Sequence, residues 1–205
     1  IRMCENKIST FNFLNKNKLS TPLTWKKKKN KTNFPIITKE IFGNSSKGVK
    51  ILKNNQDLKS VYLKNLIFQK YLKGEEYHID ILNDFNGNYL DHCSKLKLEM
   101  RDGETFKAKI VENSNLSELS KKISKAVKHV GNLDCDLILS NKKFFIIDFN
   151  PRFGGGYPFT HLAGKNYIMK IICNLLKKNY RIRKKAKLLT AMKSINLTVK
   201  NEKKN

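Results

Sequence analysis

The residues with the most chemical potential lie between Phe144 and Gly156, in FFIIDFNPRFGGG. There an apolar run of strand type is interrupted by Asp148, Asn150 and Arg152. Strand alternation puts these three on one face and Phe145, Ile147 and Phe149 on the other. Two oxygen donors and a guanidinium on one face suit a magnesium ion beside a phosphate group. Gly154, Gly155 and Gly156 then let the backbone pass close to a partner. Asp136 joins the set from the upstream strand Cys135–Leu139, because a turn at Ser140-Asn141-Lys142 makes the two strands neighbours. Asp136, Asp148 and Asn150 are therefore the candidate metal ligands. Hard oxygen donors with room for water favour magnesium, or manganese in its place, over zinc or copper.

A second group precedes these strands. Lys39 ends the apolar stretch NFPIIT, and Gly43-Asn44-Ser45-Ser46-Lys47-Gly48 follows it. Backbone N–H groups and serine hydroxyls in such a turn can surround phosphate oxygens, so a strand-end lysine facing it makes a polyphosphate clamp. The spacing of a Walker loop, GxxxxGK[ST], is absent.

The pattern around these groups predicts a mixed α+β chain. Ile8, Phe11 and Leu14 mark a helix over residues 5–19, and Leu58, Val61 and Tyr62 face inward on a helix over 56–65. Residues 66–111 read as an antiparallel meander, with a tight hairpin turn at Asn86-Gly87 and another at Asp102-Gly103. Asn115 and Glu118 form a capping pair for a helix running to Val130, with Leu116, Leu119, Ile123, Val127 and Val130 inward and Gly131 as its stop. Ile168, Ile171, Ile172 and Leu175 recur at helical spacing. The Lys-rich end carries little pattern. The expected division is residues 1–68, residues 69–178 and a basic tail over 179–205.

The chain has 205 residues, enough for one large domain or two lobes with a real core. Its first residue is Ile, which fits a fragment, a processed form or a partial reading frame. No apolar run is long enough to span a bilayer, and the segment IRMCENK lacks the apolar region of a signal peptide. Cys4, Cys93, Cys135 and Cys173 show neither zinc nor disulfide spacing, so a reducing, cytoplasmic setting is expected. The formal charge of +25 raises nucleic-acid binding. The excess is almost all Lys, however, spread along the chain with Asn and Ile rather than interleaved with Arg and aromatics. The run from Lys26 to Lys31 reads as a solvated loop. His78, His92, His129 and His161 stand apart in sequence and read as structural or surface residues.

Taken in order, ENK, FPIITK with GNSSKGV, QKYLKGEEYHID, KLKLEMRDGET, CDLIL with FFIIDFNPRFGGG, and HLAGKNY resemble an ATP-grasp domain. The type is that of the carbamoyl phosphate synthase large subunit, with more distant similarity to D-alanine–D-alanine ligase and biotin carboxylase. The resemblance runs from Glu5 to Tyr167. It implies two lobes, each with an antiparallel sheet and helices, and an ATP cleft between them. It implies that Lys7 and Lys39 contact ATP phosphates and that Gly43, Ser45, Ser46 and Gly48 belong to the loop over them. By the same resemblance Gln69, Lys70 and Leu72 are the hinge at adenine, and Glu76 binds the ribose. Asp136, Asp148 and Asn150 hold the metal. Arg152 meets the transferred group, with Lys97 and Arg101 facing the same groove. Three positions depart from the family pattern. Asn6 stands where Asp is common, Glu40 where Pro is common, and Asp136 and Asp148 where longer acidic or amide side chains are common.

The implied function is an ATP- and magnesium-dependent ligase unit. It activates a carboxylate as an acyl phosphate for attack by an amine or similar nucleophile, with cations neutralising the developing charge. The family also has a preceding α/β domain, expected here from a missing segment or another chain. Small-molecule carboxylate and nucleophile substrates are the expected partners. Two other readings stand beside this one: a non-catalytic ATP-binding module, and a basic nucleic-acid binder.

Overall fold

The computed structural model describes residues 2–27, 32–42, 48–62 and 64–194. In chain order these form α1 (Arg2–Glu5), α2 (Lys7–Lys16), β1 (Thr24–Trp25), β2 (Ile36–Glu40), β3 (Lys50–Leu52), α3 (Asn55–Ser60), β4 (Leu66–Lys70) and β5 (Glu75–Asn83). Then come β6 (Tyr89–Arg101), β7 (Glu104–Val111), α4 (Ser114–Val127), β8 (Gly131–Ser140), β9 (Lys143–Asn150), α5 (Tyr157–Leu162), α6 (Tyr167–Leu175) and β10 (Thr190–Met192). Two sheets result, one with the order β1-β4-β2-β3 and one with the order β10-β7-β6-β5-β8-β9.

Alternation divides the larger sheet into two faces of different chemistry. Ile79 and Ile81 of β5, Leu133, Cys135 and Leu137 of β8, and Ile146 and Phe149 of β9 meet Leu14 of α2 and Leu116 and Ile123 of α4 in the main core. The intervening residues His78, Asp80, Asp134, Asp136, Asp148 and Asn150 point to the opposite face. One end of that face is closed by α5, whose Phe159 packs with Cys93, Ala108, Ile110 and Ala163. The other end is open, and the charged residues gather there.

β4 does not begin the meander. It pairs with β1 and β2 in the smaller sheet, so the expected boundary between residues 68 and 69 falls inside a strand. The chain crosses to the larger sheet through Tyr71 to Gly74. Gly74 is required at that crossing, since a Cβ there would stand 1.9 Å from the Leu139 carbonyl oxygen.

Asn86-Gly87 is not a two-residue hairpin. Asp84 organises a wider connection, its carboxylate accepting from Asn86 N at 2.9 Å and Asn88 N at 2.7 Å. The cap of α4 is Asn113, which accepts from Leu116 N at 3.2 Å, and not the pair Asn115 and Glu118. The helix stops at a left-handed Lys128, three residues before Gly131, and this leaves Val130 exposed. α3 ends at Ser60, so Tyr62 is 81% exposed rather than inward. On α6, Ile171 packs against Tyr157 and Tyr167 while Ile168, Ile172 and Leu175 face outward.

Of the segment read as a basic tail, the part through Met192 lies on the fold. The Lys165 ammonium donates to the Lys184 carbonyl at 2.9 Å, Lys187 N donates to Ala163 O, and β10 pairs antiparallel with β7.

Candidate functional site

β8 and β9 place the acidic residues in register. Asp136 stands opposite Asp148, and Asp134 opposite Asn150. The strands do not alternate without interruption. An irregularity after Asp136 leaves Ile147 as an extra residue, so that Ile146, and not Ile147, shares the core face with Phe149. Such a bulge adds local twist and re-aims the neighbouring side chains. Asp148 and Asn150 keep the open face.

Together with His78, Lys97, Glu104, Asp134, Arg152 and the backbone of Gly155 and Gly156, the candidate ligands Asp136, Asp148 and Asn150 line a cavity of about 110 Å³. Basic residues surround the carboxylates. Lys97 on β6 is ion-paired with Asp136 at 2.7 Å and lies 3.7 Å from Glu76. Lys7, the first residue of α2, reaches Asp148 at 3.5 Å. Asn6 caps that helix by accepting from Ile8 N and Ser9 N, a local role that Asn fills as well as Asp. Lys39 on β2 is only 7% exposed. Among the described residues no carboxylate lies within ion-pair distance of its ammonium. Burial lowers its pKa to about 8, with Asp148 opposing the shift and Lys7 reinforcing it.

The carboxylates differ in their proton affinity. Burial would raise the Asp136 pKa, but Lys97 and His78 outweigh burial and hold it well below the usual carboxylate range. Burial raises Asp148, with Lys7 and Lys39 pulling it back. Burial also raises Asp134, to about 6, against the pull of His78 and with the repulsion of Asp136 and Asp80. For His78, burial and Lys95 favour the neutral ring, yet Asp134, Asp80 and Asp136 overcome them and lift its pKa to about 9.

The remaining sequence candidates are dispersed. Glu76 lies at this end of the cleft, exposed and near Lys97. Arg152 lines the cavity with a side chain 57% exposed, 4.0 Å from Asp134. Gln69 is buried in β4, its amide donating to Thr24 Oγ1 at 2.8 Å, with Lys70 exposed and Leu72 half-buried just beyond. Arg101 is not brought to the cavity. Its guanidinium pairs with Glu99 at 2.8 Å and stacks over the Phe106 ring at 3.4 Å. Gly43, Ser45 and Ser46 lie outside the described residues, as do Lys28, Lys29 and Lys31. Gly48 is described, with a φ of +73° just before β3.

His78, Asp134 and Glu104 line the cavity but were not singled out from sequence. Asp134 was legible, because it stands two residues before Asp136 and alternation puts both on one face. His78 stands two residues before Asp80 in the same way, but only the register of β5 against β8, which sets His78 opposite Asp136, brings it to the carboxylates. The glycines take their meaning from this crowding. A Cβ on Gly154 would fall 1.4 Å from Asp134 Oδ2, and one on Gly156 would fall 3.0 Å from the His78 ring.

The chain is similar to L-amino acid ligase from Bacillus licheniformis, with 19% identity and a TM-score of 0.67 over 86% of this chain and 48% of that one. It is similar to the biotin carboxylase domain of Hydrogenobacter thermophilus 2-oxoglutarate carboxylase, solved with MgADP and bicarbonate. There the identity is 14% and the TM-score 0.74, over 91% of this chain and 49% of that one. It is also similar to N5-carboxyaminoimidazole ribonucleotide synthetase from Thermotoga maritima, with 16% identity and a TM-score of 0.68 over 88% and 51% of the two chains. The chain thus spans about half the length of these structures. The profile of the ATP-grasp domain matches residues 4–156, which run from α1 through the last glycine of the cavity. With two antiparallel sheets and this profile over most of its length, the chain belongs to the ATP-grasp family.

Proposed function

We propose that this chain binds ATP with magnesium and serves as a ligase unit that activates a carboxylate as an acyl phosphate for an amine or similar nucleophile. The observation that carries the reading is the convergence of Asp136, Asp148 and Asn150 in one cavity with lysines from β6, α2 and β2 around it. The donor set fits magnesium. It is all oxygen on the β8–β9 side, with half-buried side chains that still reach solvent. Asp136, Asp148 and Asn150 would hold the ion, which when bound neutralises polyphosphate charge.

The residues of the chain divide the remaining work. Lys39, buried and without a carboxylate partner among the described residues, gains most from a phosphate anion, because that anion restores the charge burial disfavours. Lys7 follows it once Asp148 is engaged elsewhere. Arg152 presents an edge to solvent, its Nη1 donating, among the described residues, only to the adjacent Phe153 carbonyl at 3.2 Å. A planar fork so exposed suits the anionic group in transfer. Lys97 holds Asp136 ionised and ready as a ligand. Glu76, and the strand end after Gln69 with Lys70 and Leu72, remain the proposed nucleoside contacts.

Titration calorimetry with a nonhydrolysable ATP analogue and magnesium tests this. Binding is expected in the intact chain and its loss in Asp148→Ala. A well-folded protein that does not bind, or equal affinity in Asp148→Ala, overturns the reading. One alternative is an ATP-binding module without catalysis. That alternative predicts analogue binding with no ADP release from any mixture of carboxylate and amine.

A further inference from the structure

The ring of His78 is 3% exposed and sits among three carboxylates. Its Nδ1 lies 3.4 Å from Asp134 Oδ1 and 3.4 Å from Asp136 Oδ1, and its Nε2 lies 3.4 Å from Asp80 Oδ1. These are ion-pair separations rather than hydrogen bonds, and Asp134 Oδ1, on a residue 6% exposed, accepts none from any described residue. We propose that His78 Nδ1, Asp134 Oδ1 and Asp136 Oδ1 form a site for a divalent transition ion such as zinc, sharing Asp136 with the magnesium donors but otherwise separate from them.

Three geometric facts carry the proposal. First, donor atoms around a tetrahedral ion at about 2.0–2.1 Å stand about 3.3 Å apart, which is the spacing His78 keeps to both carboxylates. Imidazole with two carboxylates is a borderline donor set that selects zinc-like ions over magnesium. Second, a metal-bound imidazole usually directs its other nitrogen at a carboxylate, and here Nε2 faces Asp80. Asp80 is itself fixed by Lys95, by Thr160 and by Asn132 Nδ2 at 3.0 Å. Third, glycine backbone lies directly against two members of the cluster, Gly154 against Asp134 and Gly156 against the His78 ring. Lys97 pairs with the same Asp136 oxygen and retains Glu76 as an alternative partner when the ion is bound.

The test is zinc titration of the nucleotide-free chain in competition with a chromophoric chelator. One zinc ion per chain is expected. His78→Ala and Asp134→Asn should each weaken it by about tenfold or more, while Asp148→Asn should leave it unchanged. Zinc-edge absorption of the loaded wild-type protein should show imidazole scattering, a readout that does not depend on any variant folding. Zinc affinity equal in wild type and His78→Ala identifies the ring as an imidazolium strut and overturns the proposal. So does a shell without imidazole, or loss in Asp148→Asn with His78→Ala silent. No ATP analogue enters the measurement, so its failure leaves the ligase reading standing.

Discussion

Two charged clusters share one face of the larger sheet. In the first, Asp80 and Lys95 of the sheet meet Thr160 of α5 with no solvent exposure, and each group has a protein partner. Burial works against the Asp80 carboxylate, yet Lys95 and His78 hold its pKa far below normal. In the second, Asp134, Asp136 and Asp148 meet Lys7, Lys97 and Arg152 at the open end, at separations from 2.7 to 4.0 Å. Some of these pairs are loose, some atoms accept no hydrogen bond from any described residue, and glycine forms part of the wall. The residue types are nearly the same. What differs is completeness. A closed cluster spends its charge on holding α5 to the sheet, while an open one leaves charge for a ligand.

The contrast can be broken from the closed side first. Asp80→Ala strands the Lys95 ammonium in the interior and should lower the unfolding free energy by about 3–5 kcal/mol in urea denaturation. Replacing both Asp80 and Lys95 with apolar residues of similar volume should recover most of it. Next in size, Gly154→Ala should cost about 1–3 kcal/mol by overpacking, because the added carbon collides with Asp134. The same denaturation curves check it.

Asp136→Ala sharpens the comparison from the open side. It should weaken magnesium–nucleotide analogue binding by about tenfold, or roughly 1.4 kcal/mol. Its effect on stability should be smaller than that of Asp80→Ala, since Lys97 keeps the half-exposed Glu76 as a partner at 3.7 Å. The smallest effect concerns Lys39. Its ammonium loses its proton as pH rises through about 8, so analogue affinity should fall by about threefold from pH 7 to pH 9. Lys39→Met should flatten that profile. The sign for stability is opposite. The unfolded chain binds more protons at this lysine above pH 8, so its contribution to stability rises with pH.

The site was more legible than the frame around it, for physical reasons. Alternation alone put Asp148 and Asn150 on one face, and a short turn made Asp136 their neighbour. Asn141 and Lys142 do adopt positive φ there. His78 stayed hidden because its meaning depends on pairing with a strand far along the chain. β10 was equally hidden. Three residues in a lysine-rich stretch carry no pattern of their own and become a strand only because β7 offers an open edge. α5 begins at Tyr157-Pro158 and spans six residues, too few to show a stripe. Arg101 misled for the converse reason. Its strand is correct, but the guanidinium found an aromatic ring nearer than the groove.

The extra residue in β9 sets folding and function on separate adjustments. Ile146 and Phe149 anchor the strand to the core, while Ile147 is left out of the ladder between Leu137 and Asp136. Without Ile147 the strand would still alternate, Ile146 inward and Asp148 outward, so the core would register little loss. The local twist would relax, and with it the angle at which Asp148 confronts Asp136. One position of little worth to the core thus acts as the tuning screw of the cleft. Protein engineering could turn it without rebuilding the scaffold.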